Sequence, residues 1–118
     1  MSAQRDADCL FCKIVAGEIP GDIVHETETT VAFRDIEPQA PTHVLVVSRN
    51  HHENAVSLAS AEPETAVDLL RAMGAVAEQE GLVGGYRLVF NTGPDASQSV
   101  PHVHGHVLGG RSMGWPPG

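Results

Sequence analysis

Apolar positions along the chain change period several times, and each change predicts an element. Leu10, Phe11, Ile14 and Val15 recur at near-helical spacing until Gly17 and Pro20 interrupt them, which predicts a short N-terminal helix. Three stretches rich in β-branched and apolar residues follow at 23–26, 31–34 and 43–47, separated by Thr/Glu-rich and Pro-rich turns such as 37–41. They predict strands of a meander. Over residues 60–80 the period becomes helical, with Val67, Leu70, Met73, Val76 and Ala77 on one stripe, charged residues elsewhere, and Gly81 closing the helix. Met73 on that stripe reads as core or subunit interface. Residues 86–91 predict a fourth strand, and the loop 92–99 leads into a fifth at 102–108 that pairs with it. The predicted class is α+β: a mostly antiparallel five-stranded sheet with one long helix and a short N-terminal helix.

A chain of 118 residues without repeat, linker or low-complexity segment reads as a single domain, 1–118. Seven Lys plus Arg against fifteen Asp plus Glu leave a net charge of −8, so no basic footprint for nucleic acid or an anionic membrane is visible. Any phosphate must be held locally, by backbone N–H groups, hydroxyls and histidines. Residues 1–8 are polar and read as a disordered N-terminal extension, and no apolar run approaches membrane-spanning length. A cytoplasmic protein is expected. Cys9 and Cys12 do not make the disulfide framework of a secreted mini-protein and invite a metal or redox reading.

The chemistry concentrates in His102-Val103-His104-Gly105-His106-Val107-Leu108. On a β-strand such alternation turns all three imidazoles to one side and Val103 and Val107 to the other. A shared row of titratable rings serves covalent catalysis or metal ligation, and the residues alone leave both open.

With that tract stand Phe33-Arg34-Asp35-Ile36-Glu37-Pro38-Gln39-Ala40-Pro41-Thr42-His43, then Gln98-Ser99-Val100, and finally Gly109-Gly110-Arg111 with Trp115-Pro116-Pro117-Gly118. Four motifs in this order resemble the histidine triad (HIT) superfamily, and within it the Hint branch of nucleoside phosphoramidases, over about residues 10–118. The resemblance implies a HIT-like fold and a purine nucleoside phosphoramidate hydrolase of the adenosine 5'-monophosphoramidase type. His104 would be the nucleophile that forms a covalent nucleotidyl-histidine, a role a neutral imidazole can fill at pH 7. His106 would bond the reacting phosphate, His43 would complete the cluster, and Ser99 would contact phosphate and pass a proton to the departing amine. Asp35 with Ile36 would mark the nucleotide pocket, the carboxylate accepting from both ribose hydroxyls, and Phe11, Ile14, Phe33, Ile36 and Leu45 would form the apolar slot for the base. Asn91, Gln98, Val100 and Trp115 complete the implied substrate contacts.

In zinc-bearing relatives the cysteine pair is joined by a histidine after the third strand and by the first triad histidine, here His51 and His102, with His52 competing for the first position. The resemblance thus implies structural zinc on Cys9, Cys12, His51 and His102 and no cofactor for catalysis itself. It also implies a homodimer whose C-terminal segment, 109–118, reaches toward the partner's site, with purine nucleotide as the ligand. The sequence departs from the family pattern at Gly105, where an apolar residue is usual and whose loss is expected to loosen the strand, and at Ser97, where glycine is usual. The competing readings are a dinucleoside polyphosphate hydrolase or nucleotidyltransferase of the same superfamily, a non-catalytic nucleotide-binding regulatory module, and a zinc hydrolase that uses the triad as ligands.

Overall fold

The computed structural model describes residues 6–118. Of the extension expected over 1–8, residues 1–5 lie outside the described residues. Residues 6–8 form a turn in which the Cys9 amide donates to the Asp6 carbonyl (3.1 Å) and the Asp8 amide to the Asp6 carboxylate (2.9 Å). Helix α1 (Leu10–Val15) follows, capped by the Cys9 sulfur, which accepts the Cys12 amide; Gly17 at φ +78° lets the chain turn away.

Five strands, β1 (Ile23–Glu26), β2 (Thr30–Arg34), β3 (Thr42–Ser48), β4 (Tyr86–Phe90) and β5 (His104–Gly109), form one sheet in the order β1-β2-β3-β5-β4 with every pair antiparallel. Both faces are covered at the centre, so all of β3 is buried. Val44 and Val46 pack with Ala32, Val107, Leu69, Met73 and Val76 on the helical face. Leu45 and Val47 pack with Phe11, Ile14 and Phe33 on the opposite face, under α1. Each such side chain removed from water contributes about 1.5–3 kcal/mol.

The helical period over 60–80 is carried by two helices, α2 (Ala55–Ala61) and α3 (Pro63–Gln79). Pro63 has no amide hydrogen to continue the first helix, and its fixed φ suits the first turn of the next, so Glu62 becomes the boundary. A capping box between Asn54 and Ser57 starts α2. The buried face of α3 is Leu69, Ala72, Met73, Val76 and Ala77; Val67 and Leu70, placed on the stripe by periodicity, are 48% and 52% exposed. Strand β5 begins at His104, later than the sequence pattern predicts. Ahead of it, the Val103 amide bonds the His52 carbonyl (2.7 Å) instead of a neighbouring strand. Among the described residues no helix is long and apolar enough to cross a membrane.

Gly105 does not loosen β5. A Cβ there would stand 2.4 Å from Met73 Cε, 2.6 Å from its Sδ and 2.9 Å from Phe90 Cζ. The volume that a side chain on β5 would fill is filled from α3, and methionine suits the gap because its unbranched thioether adapts to irregular space. The two positions are therefore coupled. Gly105→Leu alone should destabilise by roughly 1–3 kcal/mol through overpacking, and Met73→Ala alone by roughly 2–5 kcal/mol through a cavity. The double variant should lose clearly less than their sum in urea unfolding, and a strictly additive double variant would show that the two side chains do not share this space.

Candidate active site

The site is built on the α1 side of the sheet by strand parity. His104 lies opposite Val47 and His106 opposite Leu45, so both rings share the face of Leu45 and Val47, while Gly105 and Val107 face α3. His102 precedes the strand yet turns to the same side. Phe11 presents an edge-on contact to both His102 and His104, with centroids 6.0 and 4.9 Å apart. The alternation of the sequence thus does gather three imidazoles on one side of the sheet.

Hydrogen-bond partners fix which nitrogens carry protons. His104 Nδ1 lies 2.7 Å from the His102 carbonyl, which can only accept, so Nδ1 holds the proton and Nε2 keeps its lone pair. The Gln39 amide donates to His43 Nδ1 (3.0 Å), which places the His43 proton on Nε2, from where it is donated to His106 Nδ1 (2.9 Å). The proton of His106 then sits on Nε2. That atom is buried without a hydrogen-bond partner among the described residues, a costly state that a ligand oxygen would relieve. Asp35 stands 3.5 Å from His43 Nε2 through one oxygen, while its other accepts the Glu37 amide (2.7 Å). Asp35, His43 and His106 could be taken for a metal trio, their ligand atoms lying within 4.8 Å, but the proton on His43 Nε2 closes that position to a cation.

All three rings are neutral at pH 7. Burial lowers His43 and His104 from the ordinary histidine value, opposed at His43 by the nearby Asp35 carboxylate and at His104 by the hydrogen bond to the His102 carbonyl and then by Asp35. Burial, together with the neighbouring His104 and His43, brings His106 down to about 4. A neutral nucleophile beside a neutral N–H donor is the pair that attack on a phosphorus centre needs.

The rings open onto a cleft of about 1170 Å³. Phe11, Ile14, Phe33, Leu45 and Val100 form an apolar wall, Asp35, His43, Ser99, His104 and His106 line its polar part, and Ile36 stands 94% exposed at the rim. Three residues from the sequence reading are elsewhere. Asn91 follows β4 and does not line the cleft. Gln98 is spent on the loop, donating to the Glu53 and Val100 carbonyls (2.7 and 3.2 Å) and accepting the Gly93 amide (2.9 Å). Trp115 is 84% exposed, outside the cleft of its own chain. Gln39, part of the 33–43 motif but not of the predicted site, lines the cleft and sets the His43 tautomer through its backbone, a role no side-chain type announces. Ser97 lines the cleft in the left-handed conformation (φ 63°), where a side chain costs about 1 kcal/mol relative to glycine.

A second cluster lies next to the first. Cys9, Cys12, His51 and His102 bring their ligand atoms within 4.8 Å of one another. His102 Nδ1 is 3.3 Å from Cys9 Sγ and 3.5 Å from Cys12 Sγ, and His51 Nδ1 is 3.4 Å from Cys12 Sγ. Those separations match the edges, about 3.5 Å, of a tetrahedron with zinc–sulfur and zinc–nitrogen bonds of ordinary length. The tautomer also fits: His102 Nε2–H donates to the Ser48 carbonyl (2.8 Å), which leaves the Nδ1 lone pair aimed at the sulfurs. His52 instead contacts Glu62, which removes it from competition with His51. The donor set is compatible with structural zinc.

Because His43, His104 and His106 all have depressed values, the folded chain binds fewer protons than the unfolded chain between pH 6.5 and about 4. Their contribution to stability is complete above the unfolded value and is lost as pH falls through the folded ones. The urea midpoint should therefore stay flat from about pH 8 to pH 7 and fall on acidification through that window, less steeply in His106→Gln. A midpoint that rises on acidification would contradict the buried, neutral state of these rings.

Comparison with known proteins places the chain. The family model described as HIT domain matches residues 16–113. A 14 kDa zinc-binding protein of Zea mays is 49% identical over 116 residues, covering 96% of this chain and 90% of that protein. A purine nucleoside phosphoramidase of Escherichia coli (strain K12) is 46% identical over 109 residues, 91% of each. A crystal structure of a HIT family hydrolase from Legionella pneumophila Philadelphia 1 superposes with a TM-score of 0.90 at 46% identity, covering 94% of this chain and 100% of that one. With its five-stranded sheet, its row of histidines and relatives matched over nearly their whole length, the chain belongs to the HIT family.

Proposed function

We propose that the protein is a purine nucleoside phosphoramidate hydrolase of the adenosine 5'-monophosphoramidase type, working through a covalent nucleotidyl-histidine on His104. The observation that carries this reading is the hydrogen bond from His104 Nδ1 to the His102 carbonyl, which holds the Nε2 lone pair free on a ring that lines the cleft. The similarity to the Escherichia coli phosphoramidase supports the choice of a phosphorus–nitrogen bond.

In this reading the base lies against Phe11, Ile14, Phe33 and Leu45, and the Asp35 carboxylate accepts from the ribose hydroxyls. His104 Nε2 donates its lone pair to the α-phosphorus and an N–P bond forms. The bond from phosphorus to the substrate nitrogen breaks, its electron pair leaves with the nitrogen, and a proton supplied through the Ser99 hydroxyl completes the free amine. His106 Nε2–H, oriented by His43, bonds the phosphoryl oxygen as charge develops there. Water then attacks the same phosphorus, the N–P bond returns its pair to Nε2, and the nucleoside monophosphate leaves after the water's protons pass to Ser99 and solvent. Throughout, no side chain of the cysteine cluster touches the reacting atoms. Its four donors make a closed set and neither cysteine lines the cleft, so zinc held there would supply structural rigidity and leave no open position for a water nucleophile.

The reading extends to a homodimer. Strand β4 is a sheet edge that shows Tyr86 and Leu88, and α3 shows Val67 and Leu70, apolar groups that a second copy would cover. Trp115 would then reach substrate in the partner's cleft. Leu88→Glu should turn a dimer in sedimentation equilibrium into a monomer; wild-type protein that is monomeric at micromolar concentration would remove this part of the reading.

Deleting the nucleophile separates the readings. His104→Ala keeps Asp35 and the apolar wall, so AMP affinity should stay within a few-fold while hydrolysis of adenosine 5'-phosphoramidate falls by roughly 10³-fold or more. Zinc content should not change. Turnover of a diadenosine polyphosphate above that of the phosphoramidate in the wild type would favour the polyphosphate hydrolase, and tight AMP binding with no turnover of either would leave a binding module.

A further inference from the structure

We propose that the Cys9, Cys12, His51 and His102 cluster, with its metal bound, positions the nucleophilic ring of His104 by fixing the single peptide unit that joins His102 to Val103. The inference rests on the zinc reading above and adds to it a role in the reaction.

That peptide unit is held from both sides. Its N–H donates to the His52 carbonyl (2.7 Å), and its C=O accepts Nδ1–H of His104 (2.7 Å). His52 directly follows His51, and Val103 directly follows His102, so the two histidines of the cluster stand at the two ends of the hydrogen bond from Val103 N–H to the His52 carbonyl, from which the chain continues through the His102 carbonyl to His104. A metal that ties His51 to His102 fixes the separation of those ends. The His102 ring cannot swing to another partner, because it is fully buried with Nε2–H on the Ser48 carbonyl (2.8 Å).

Two effects on His104 follow. The Nδ1–H···O bond sets the direction of the Nε2 lone pair, and a misplacement of about 1 Å between reacting groups can cost roughly 10²-fold in rate. The aligned sequence of carbonyl, peptide and imidazole also polarises each member in turn, which raises electron density on Nε2. Cys9, Cys12, His51 and His102 do not line the cleft, so they act on the reaction only through His104 and are positioning residues.

The test uses the full chain. Zinc is measured as purified, removed with a chelator and a thiol reagent, and then restored. At each stage AMP affinity and the single-turnover rate of adenylyl-His104 formation from adenosine 5'-phosphoramidate are recorded. We expect about one zinc per chain, AMP affinity changed by no more than about threefold on stripping, adduct formation slowed roughly 10²-fold, and recovery with zinc. Because stripping could unfold the chain, a second measurement uses folded enzyme loaded with Co(II), whose ligand-field bands should shift when the adduct forms and not when AMP binds alone. One zinc per chain with an unchanged adduct rate after stripping, or Co(II) bands indifferent to the adduct, overturns the inference and leaves the zinc reading standing. Less than about half an equivalent of zinc and no Co(II)–thiolate spectrum overturns the zinc reading itself, and the inference with it.

Discussion

The pairing of β3 with β5 is the constraint on which the rest of the site depends. Register in a sheet buried on both faces is strongly specified, since a slip of one residue would exchange every inward and outward side chain. Here the slip would carry His104 and His106 to the α3 side and push Val107 into the cleft. The valines of β3 resist that with their burial, and Met73 resists it by occupying the space over Gly105. The same packing energy that holds the sheet together therefore holds His104 and His106 on the face of the cleft.

Upon that frame the backbone assigns the chemistry. Three imidazoles in one row would be equivalent by residue type. They are made different by their neighbours: a Ser48 carbonyl on His102 Nε2, a His102 carbonyl on His104 Nδ1, and a relay from the Gln39 amide through His43 to His106 Nδ1. The first arrangement suits a metal ligand, the second a nucleophile, the third a hydrogen-bond donor to phosphate. Burial lowers His43, His104 and His106 from the ordinary histidine value, which favours their uncharged forms at neutral pH.

Much of this was legible in the sequence because it is written in side-chain type and period. The alternation at 102–108, the strands and α1 came from spacing alone, and the four motifs in order pointed to the HIT family. What escaped was written in the backbone or in distant packing. Pro63 divides the helical stretch, yet its apolar period runs across the break, so two helices read as one. Gly105 read as a missing side chain because its complement, Met73, lies on another element. Val67 and Leu70 share a stripe with Met73 by period, although the sheet meets α3 along Leu69, Ala72 and Met73. The resemblance named His51 over His52, but the physical ground for that choice, Glu62 meeting His52, is not written in the sequence.

The central claim is that His104 attacks through Nε2 because its Nδ1–H is held by the His102 carbonyl. Rapid quenching of the reaction with adenosine 5'-phosphoramidate, followed by peptide mapping and phosphorus NMR of the adduct, tests it most directly. The account predicts a nucleotidyl group on His104 bonded through Nε2, released as AMP on standing in acid. A nucleotidyl group on His104 Nδ1, on His102 or His106, or on Ser99 would contradict it.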